Sequence, residues 1–149
     1  MAVKRKKFGT VLAYSTNDSS YTDLTDLARV KWPKFESEDA EITHLSSPNQ
    51  TKEYLADGGW KDTDLLEVEA YFTETQFNTL LGKVNTQVEE YWRMTMPTIS
   101  GQTTGPRVKL QGYVKSHEIP EISFDSSAPI MCAFTIKRST ALPTFTAGA

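Results

Sequence analysis

Two histidines, one cysteine and a short acidic run are the residues of this chain whose types could do chemistry. His44 and His117 are the side chains that titrate near neutrality without help, which general-base catalysis needs. They stand far apart, each among polar neighbours, so both are expected to be ordinary exposed histidines. Cys132 is the lone cysteine and lies in the apolar run Ile130 to Ile136, where a free thiol is expected to be buried. One cysteine and two distant histidines give no zinc-ligand spacing. Glu36, Glu38, Asp39 and Glu41 lack the Asp-rich, Gly-centred loop that wraps calcium, so a charged strand facing solvent or a lumen is expected instead. Gly101 and Gly105 are not followed by the Lys-Ser/Thr of a phosphate cradle. No catalytic, cofactor-binding or metal site is expected, and the chain is not expected to be an enzyme.

Composition narrows the classes further. A chain of 149 residues is one domain by size, able to bury a core without disulfide or metal. Its 16 Lys and Arg against 19 Asp and Glu give a net charge of -3, which argues against a surface built to grip nucleic acid. Lys4-Arg5-Lys6-Lys7 is the exception, a nucleic-acid or localisation patch or, as expected here, a solvated arm. The lone cysteine suits a reducing compartment, and no apolar run reaches membrane-spanning length or forms a signal-peptide core. Synthesis in the cytoplasm and no membrane partner are expected.

The elements that must position these residues alternate with a period of two. Leu66, Val68, Ala70 and Phe72 oppose Leu65, Glu67, Glu69 and Tyr71, the pattern of a half-buried strand. Trp92, Met94 and Met96 oppose Tyr91, Arg93 and Thr95. Val108, Leu110, Gly112 and Val114 oppose Arg107, Lys109, Gln111, Tyr113 and Lys115. Ile130 to Lys137 begins apolar on both faces and is expected to be central, with shorter strands at Thr10 to Ser15, Ala28 to Trp32 and Glu36 to Ile42. One helix interrupts the series: Phe77, Leu80, Leu81, Val84 and Val88 form a stripe. Thr73 and Gln76 have capping-box spacing, and Phe72 can staple to Phe77. Its end, at Gly82 as a C-cap or near Asn85, is left open by the residues. Two packed antiparallel sheets with a short helix on one side are expected.

Between Thr43 and Thr63 lies a long polar segment with Ser46, Ser47, Pro48, Asn49, Asp57, Gly58 and Gly59 as turn formers. Structureless loops longer than about 12–15 residues are uncommon in compact domains and usually bind something or stay disordered. Tyr54, Leu55 and Trp60 sit inside this one and gain by covering a surface. A docking loop is expected, mobile in a free subunit.

The order of segments carries a resemblance. Thr43-His44-Leu45-Ser46-Ser47-Pro48, then Lys52-Glu53-Tyr54-Leu55-Ala56-Asp57-Gly58-Gly59, then a strand into Phe77-Asn78-Thr79-Leu80-Leu81, resembles the tail tube proteins of bacteriophages with long non-contractile tails. Val108 to Ile119 looks like that family's Gly-containing strand. Ile136 to Gly148, with Ser139, Ala141, Pro143 and Thr144, resembles its Ser-Gly-Ala-Pro-like ending, departing at Thr140 where the family often has glycine. The likeness runs from about Thr10 to Gly148.

What the resemblance implies is a single tail tube domain over 1–149, with an N-terminal arm at about 1–9, the long loop at about 43–63, a C-terminal arm at about 139–149 and no appended immunoglobulin-like domain. Such subunits form hexameric rings stacked into a tube, in the virion tail, that passes DNA without binding it specifically. Implied partners are further copies, a tape measure protein, a tail terminator and baseplate or tip proteins. Inter-subunit contact would fall to Thr43, His44, Ser47, Pro48, Tyr54, Leu55 and Trp60. A basic lumen would hold DNA and an acidic one would let it move. Glu36, Glu38, Glu67 and Glu69 are therefore candidate lumen residues, against the alternative that they are outer-surface charges. Alternatives to the tube are a tail terminator, the tube of a related phage-derived particle, or a carbohydrate-binding β-sandwich stacking sugars on Tyr54 and Trp60.

Overall fold

Alternation with a period of two produces strands here wherever both of a strand's neighbours can also hide one face. The computed structural model describes residues 9–37, 40–41, 54–55, 61–63, 65–125, 127–139 and 143–149, with side chains described outside 35–63. In chain order the elements are β1 (Val11–Ser15), β2 (Thr22–Asp23), β3 (Leu27–Lys31), β4 (Phe35–Ser37), β5 (Ala40–Glu41), β6 (Tyr54–Leu55), β7 (Lys61–Thr63), β8 (Leu66–Tyr71), α1 (Glu74–Thr86), β9 (Glu90–Thr95), β10 (Arg107–Glu118), β11 (Met131–Arg138) and β12 (Thr144–Thr146). The fold is mostly β with one helix, as expected. Its main strands are joined by hydrogen bonds into one antiparallel sheet in the order β2-β1-β9-β10-β11-β8-β3, and β12 adds to β10. Among the described residues, hydrogen bonding gives one eight-stranded sheet plus two small ribbons, β4–β7 and β5–β6. No helix among the described residues is long and apolar enough to cross a membrane.

Register puts every expected apolar set on one face. Tyr14 pairs with Trp92 and Trp92 with Leu110; Val114 pairs with Ile136 and Ile136 with Leu66; Phe134 pairs with Val68 and Val68 with Val30. Leu12, Leu66, Leu80, Trp92, Leu110, Val114, Phe134 and Ile136 are almost wholly buried and form the core with Leu24 and Val68. Trp92 lies between Tyr14 and Phe134, with ring centroids 5.6 and 6.2 Å away. β11 is an interior strand, as its apolar start predicts. Gly112 is required where β10 meets β11, since a Cβ there would fall 2.3 Å from the Lys137 carbonyl oxygen.

Helix α1 covers this face. Phe72 and Phe77 make the expected staple, with centroids 5.4 Å apart. Thr73 is the N-cap but makes no side-chain cap bond. The capping-box residues serve tertiary contacts instead: Gln76 Oε1 accepts from Thr25 N at 2.9 Å, and Thr73 Oγ1 donates to Asp26. Gly82 does not end the helix, which runs to a left-handed C-cap at Gln87 whose N–H bonds the Lys83 carbonyl. Beneath the last turn Lys83 Nζ meets Glu90 at 2.6 Å and stands 4.2 Å from the Tyr14 ring centroid. Both partners of this ion pair are largely shielded from water, with side chains 15% and 5% exposed.

Candidate assembly surface

The chemistry-bearing residues do not converge. His117 departs from its expected exposure: it is half-buried, with its ring 4.4 Å from that of Phe77 and edge-on to Phe134. A bulge explains the move. Between Val114 and Ser116 the register of β10 on β11 slips by one residue, so His117 joins the inward set opposite Phe134 instead of the outward set. Neither ring nitrogen has a hydrogen-bond partner, and burial pushes the imidazole pKa below its usual value. A neutral, packed ring results. Cys132 is buried as expected, and burial raises its thiol pKa, away from the reactive thiolate. His44 lies outside the described residues. Among the described residues no group of His, Cys, Asp and Glu could hold a metal. A cleft of about 190 Å³ beside Tyr14, Leu24, Thr25, Thr79 and Leu80 is smaller than the roughly 300–1,000 Å³ of small-molecule sites.

The helix-free face of the sheet carries most of the charged residues of the long strands. Glu67 and Glu69 lie on it together, each beside a cation on β3: Glu69 bonds Arg29 at 3.2 Å and Glu67 approaches Lys31 at 3.8 Å. Arg93, Arg107, Lys109, Lys115 and Lys137 share this face. The segment Thr16–Tyr21 folds over part of it. Asn17 Oδ1 accepts from the N–H groups of Ser19 and Ser20, turning the chain so that Asp18 meets Lys109 at 2.7 Å and the Tyr21 hydroxyl donates to Asp18. Arg93 stacks 3.8 Å over the Tyr21 ring. Lys109 beside Asp18 lowers the carboxyl pKa, and burial first, then Asp18, raises that of the Tyr21 phenol. This network was missed from sequence. The alternating cations of β10 were its visible half; Asp18 and Tyr21 gave no periodic signal.

The expected docking segment is not structureless at its base. β7 pairs with β4 through Phe35 and Thr63, Glu36 and Asp62, and Ser37 and Lys61, and β6 pairs with β5 through Ala40 and Leu55, and Glu41 and Tyr54. The chain therefore leaves and returns as an antiparallel hairpin arm. Among the described residues the two ribbons make no substantial contact with the main sheet or helix. Glu36, Tyr54 and Leu55 are thus brought onto this arm; Glu38, Thr43, Ser47, Pro48 and Trp60 lie outside the described residues. So does most of the expected N-terminal arm. The expected C-terminal arm is tied down: β12 pairs with β10 from Arg107 to Lys109, and the Ala149 carbonyl accepts from Thr103 and Thr104 at 2.8 and 2.9 Å.

No protein-family model matches this sequence, and no curated protein sequence does. Solved structures do share the fold. A chain in the extended-state sheath/tube terminator of an extracellular contractile injection system, PVC, aligns with a TM-score of 0.74 at 7% identity, covering 96% of this chain and 98% of that one. One in the 6-fold symmetrised baseplate of the anti-feeding prophage gives 0.73 at 10%, covering 99% and 96%. One in the tail of an empty gene transfer agent particle, refined with C6 symmetry, gives 0.71 at 14%, covering 97% and 100%. At such identities the likeness is one of fold.

Proposed function

We infer that this chain is a structural tail protein, a tube subunit that closes into hexameric rings and stacks them into a conduit for DNA during ejection. The observation that carries this is the match of nearly the whole chain, with little left over on either side, to chains from phage-like tails and their baseplates and terminators. The described histidine, His117, is packed between Phe77 and Phe134. The hairpin arm supports assembly, because a two-stranded ribbon, marginal by itself in water, gains from a neighbour's surface. In this proposal Thr43, His44, Ser47, Pro48, Tyr54, Leu55 and Trp60 bear on the adjacent subunit. A tape measure protein and terminator and baseplate or tip proteins bind the assembled rings, and the particle is of the long non-contractile type.

Glu36, Glu38, Glu67 and Glu69 remain the residues proposed to keep the lumen from holding DNA. Arg29 and Lys31 offset the field of Glu69 and Glu67, so neutralising either cation is expected to make that face more acidic. A second reading is favoured by the likeness to a terminator structure. A terminator closes one ring and stops. Negative-stain microscopy of concentrated protein separates the two: hollow tubes support the tube subunit, rings alone support the terminator, and monomers that a glycan column retains would overturn both.

A further inference from the structure

One surface loop is acidic and apolar at once. Between Lys115 and Lys137 the chain has no Lys or Arg, but it carries Glu118, Glu121 and Asp125. Interleaved with them are Ile119, Ile122 and Phe124, which are 38%, 50% and 96% exposed. None of the three carboxylates makes an ion pair with a described residue. A phenylalanine almost wholly in water, flanked by carboxylates that no described cation pairs, is a surface shaped for a basic segment with apolar residues of its own.

The sequence contains one such segment, Val3-Lys4-Arg5-Lys6-Lys7-Phe8, with four positive charges between two apolar residues. It joins the fold at the opposite end of the sheet. Gly9 lies against Pro97, where Met96 N bonds the Pro106 carbonyl, just before Arg107 opens β10. The acidic loop begins where β10 closes, and its far end is also there, since Phe72 N bonds the Ile130 carbonyl. The 12 residues of β10 span about 35 Å. From Gly9 back to Val3 is six steps of the chain, a reach of at most about 22 Å. The basic segment therefore cannot lie on the loop of its own chain.

We propose that Val3–Phe8 of one copy docks on the Glu118–Asp125 loop of the next, a heterologous contact between opposite ends of the subunit. Four cations face three anions, with Phe124 and the two isoleucines as the apolar anchor. Because donor and acceptor surfaces sit at opposite ends, the contact repeats from copy to copy instead of closing a pair, which gives the stacking of the proposed tube its polarity. The proposal rests on that self-assembling role, and its test separates the two.

The probe is a synthetic peptide of residues 1–8, titrated into the full-length chain carrying isotopic label while backbone amides are followed by NMR. Amides of Ile119, Ile122 and Phe124 are expected to shift at about 50 mM salt and to return on raising it to about 500 mM, where exposed charges are screened. The Glu118→Lys/Glu121→Lys/Asp125→Lys variant is expected to lose the response. In sedimentation, reversing Lys4, Arg5, Lys6 and Lys7 to Glu is expected to weaken self-association about tenfold, and combining both reversals to restore it. Loop amides that ignore the peptide, or reversal that leaves association unchanged, overturns the contact. Reversal that abolishes retention of a DNA duplex but not self-association overturns it in favour of nucleic-acid binding. A full-length chain that stays monomeric yet shows the peptide response supports the contact and overturns the tube.

Discussion

The eight-stranded sheet and the hairpin arm are both antiparallel β-structure, yet they are held in place by different things. In the sheet each strand hides a face: Trp92 and Ile136 are fully buried, and α1 closes the layer over them. In the arm β4 pairs with β7 and β5 with β6, and among the described residues neither ribbon makes more than a weak contact with any other element. Two-stranded ribbons alone are marginal in water. Burial holds the sheet together, whereas the described part of the arm is held by backbone pairing. Under the proposed function, substitutions in the sheet act on folding and substitutions in the arm act on association.

Substitutions can sharpen or break that contrast. The largest effect is expected from Trp92→Ala, which empties the space between Tyr14 and Phe134 and should cost about 3–5 kcal/mol in urea unfolding. Lys83→Met leaves Glu90 buried and unpaired and should cost about 3 kcal/mol, while the double variant with Glu90→Leu recovers most of it. Gly112→Ala forces β10 from β11 and should cost about 1–3 kcal/mol. His117→Leu should change the pH dependence more than the stability at neutrality. The folded-state pKa lies below the unfolded value of 6.5, so the unfolded chain binds more protons below that pH. Stability from this site is therefore present above about pH 6.5 and falls as pH drops toward the folded pKa, and Leu should flatten that part of the profile. The smallest effect on folding, under about 0.5 kcal/mol, is expected from Tyr54→Ala and Trp60→Ala, which should instead raise the concentration needed for assembly at least about tenfold. Loss of stability from these two matching Gly112→Ala would break the contrast.

Much of the sheet was legible in the sequence because a buried face imposes a period that the residues must show. Leu66, Val68, Ala70 and Leu110, Gly112, Val114 announced both strands and faces. What periodicity cannot show is a change of phase. The bulge after Val114 turned His117 from an expected surface residue into a packed one, and nothing in Lys115-Ser116 marked it. Nor does local spacing reveal a distant competitor: Thr73 and Gln76 have capping-box spacing, but Thr25 and Asp26 captured them from the other side of the chain. The apolar residues of the long segment from Thr43 to Thr63 led to the expectation of an interaction element. Its pairing with β4 and β5 was hidden because such short strands carry too few residues to show a period. On the candidate surface, alternation gave Arg107, Lys109 and Lys115, whereas Asp18 and Tyr21 arrive by a turn that only tertiary structure fixes.

The central claim is that this subunit builds a hollow, repeating wall. Electron microscopy of the purified full-length chain across a concentration series tests it most directly. The account predicts six-fold rings that grow into hollow tubes as concentration rises, and that persist as soluble folded subunits when Tyr54 or Trp60 is removed. A wild-type chain that remains a folded monomer at every concentration, with no ring in any class average, would contradict it.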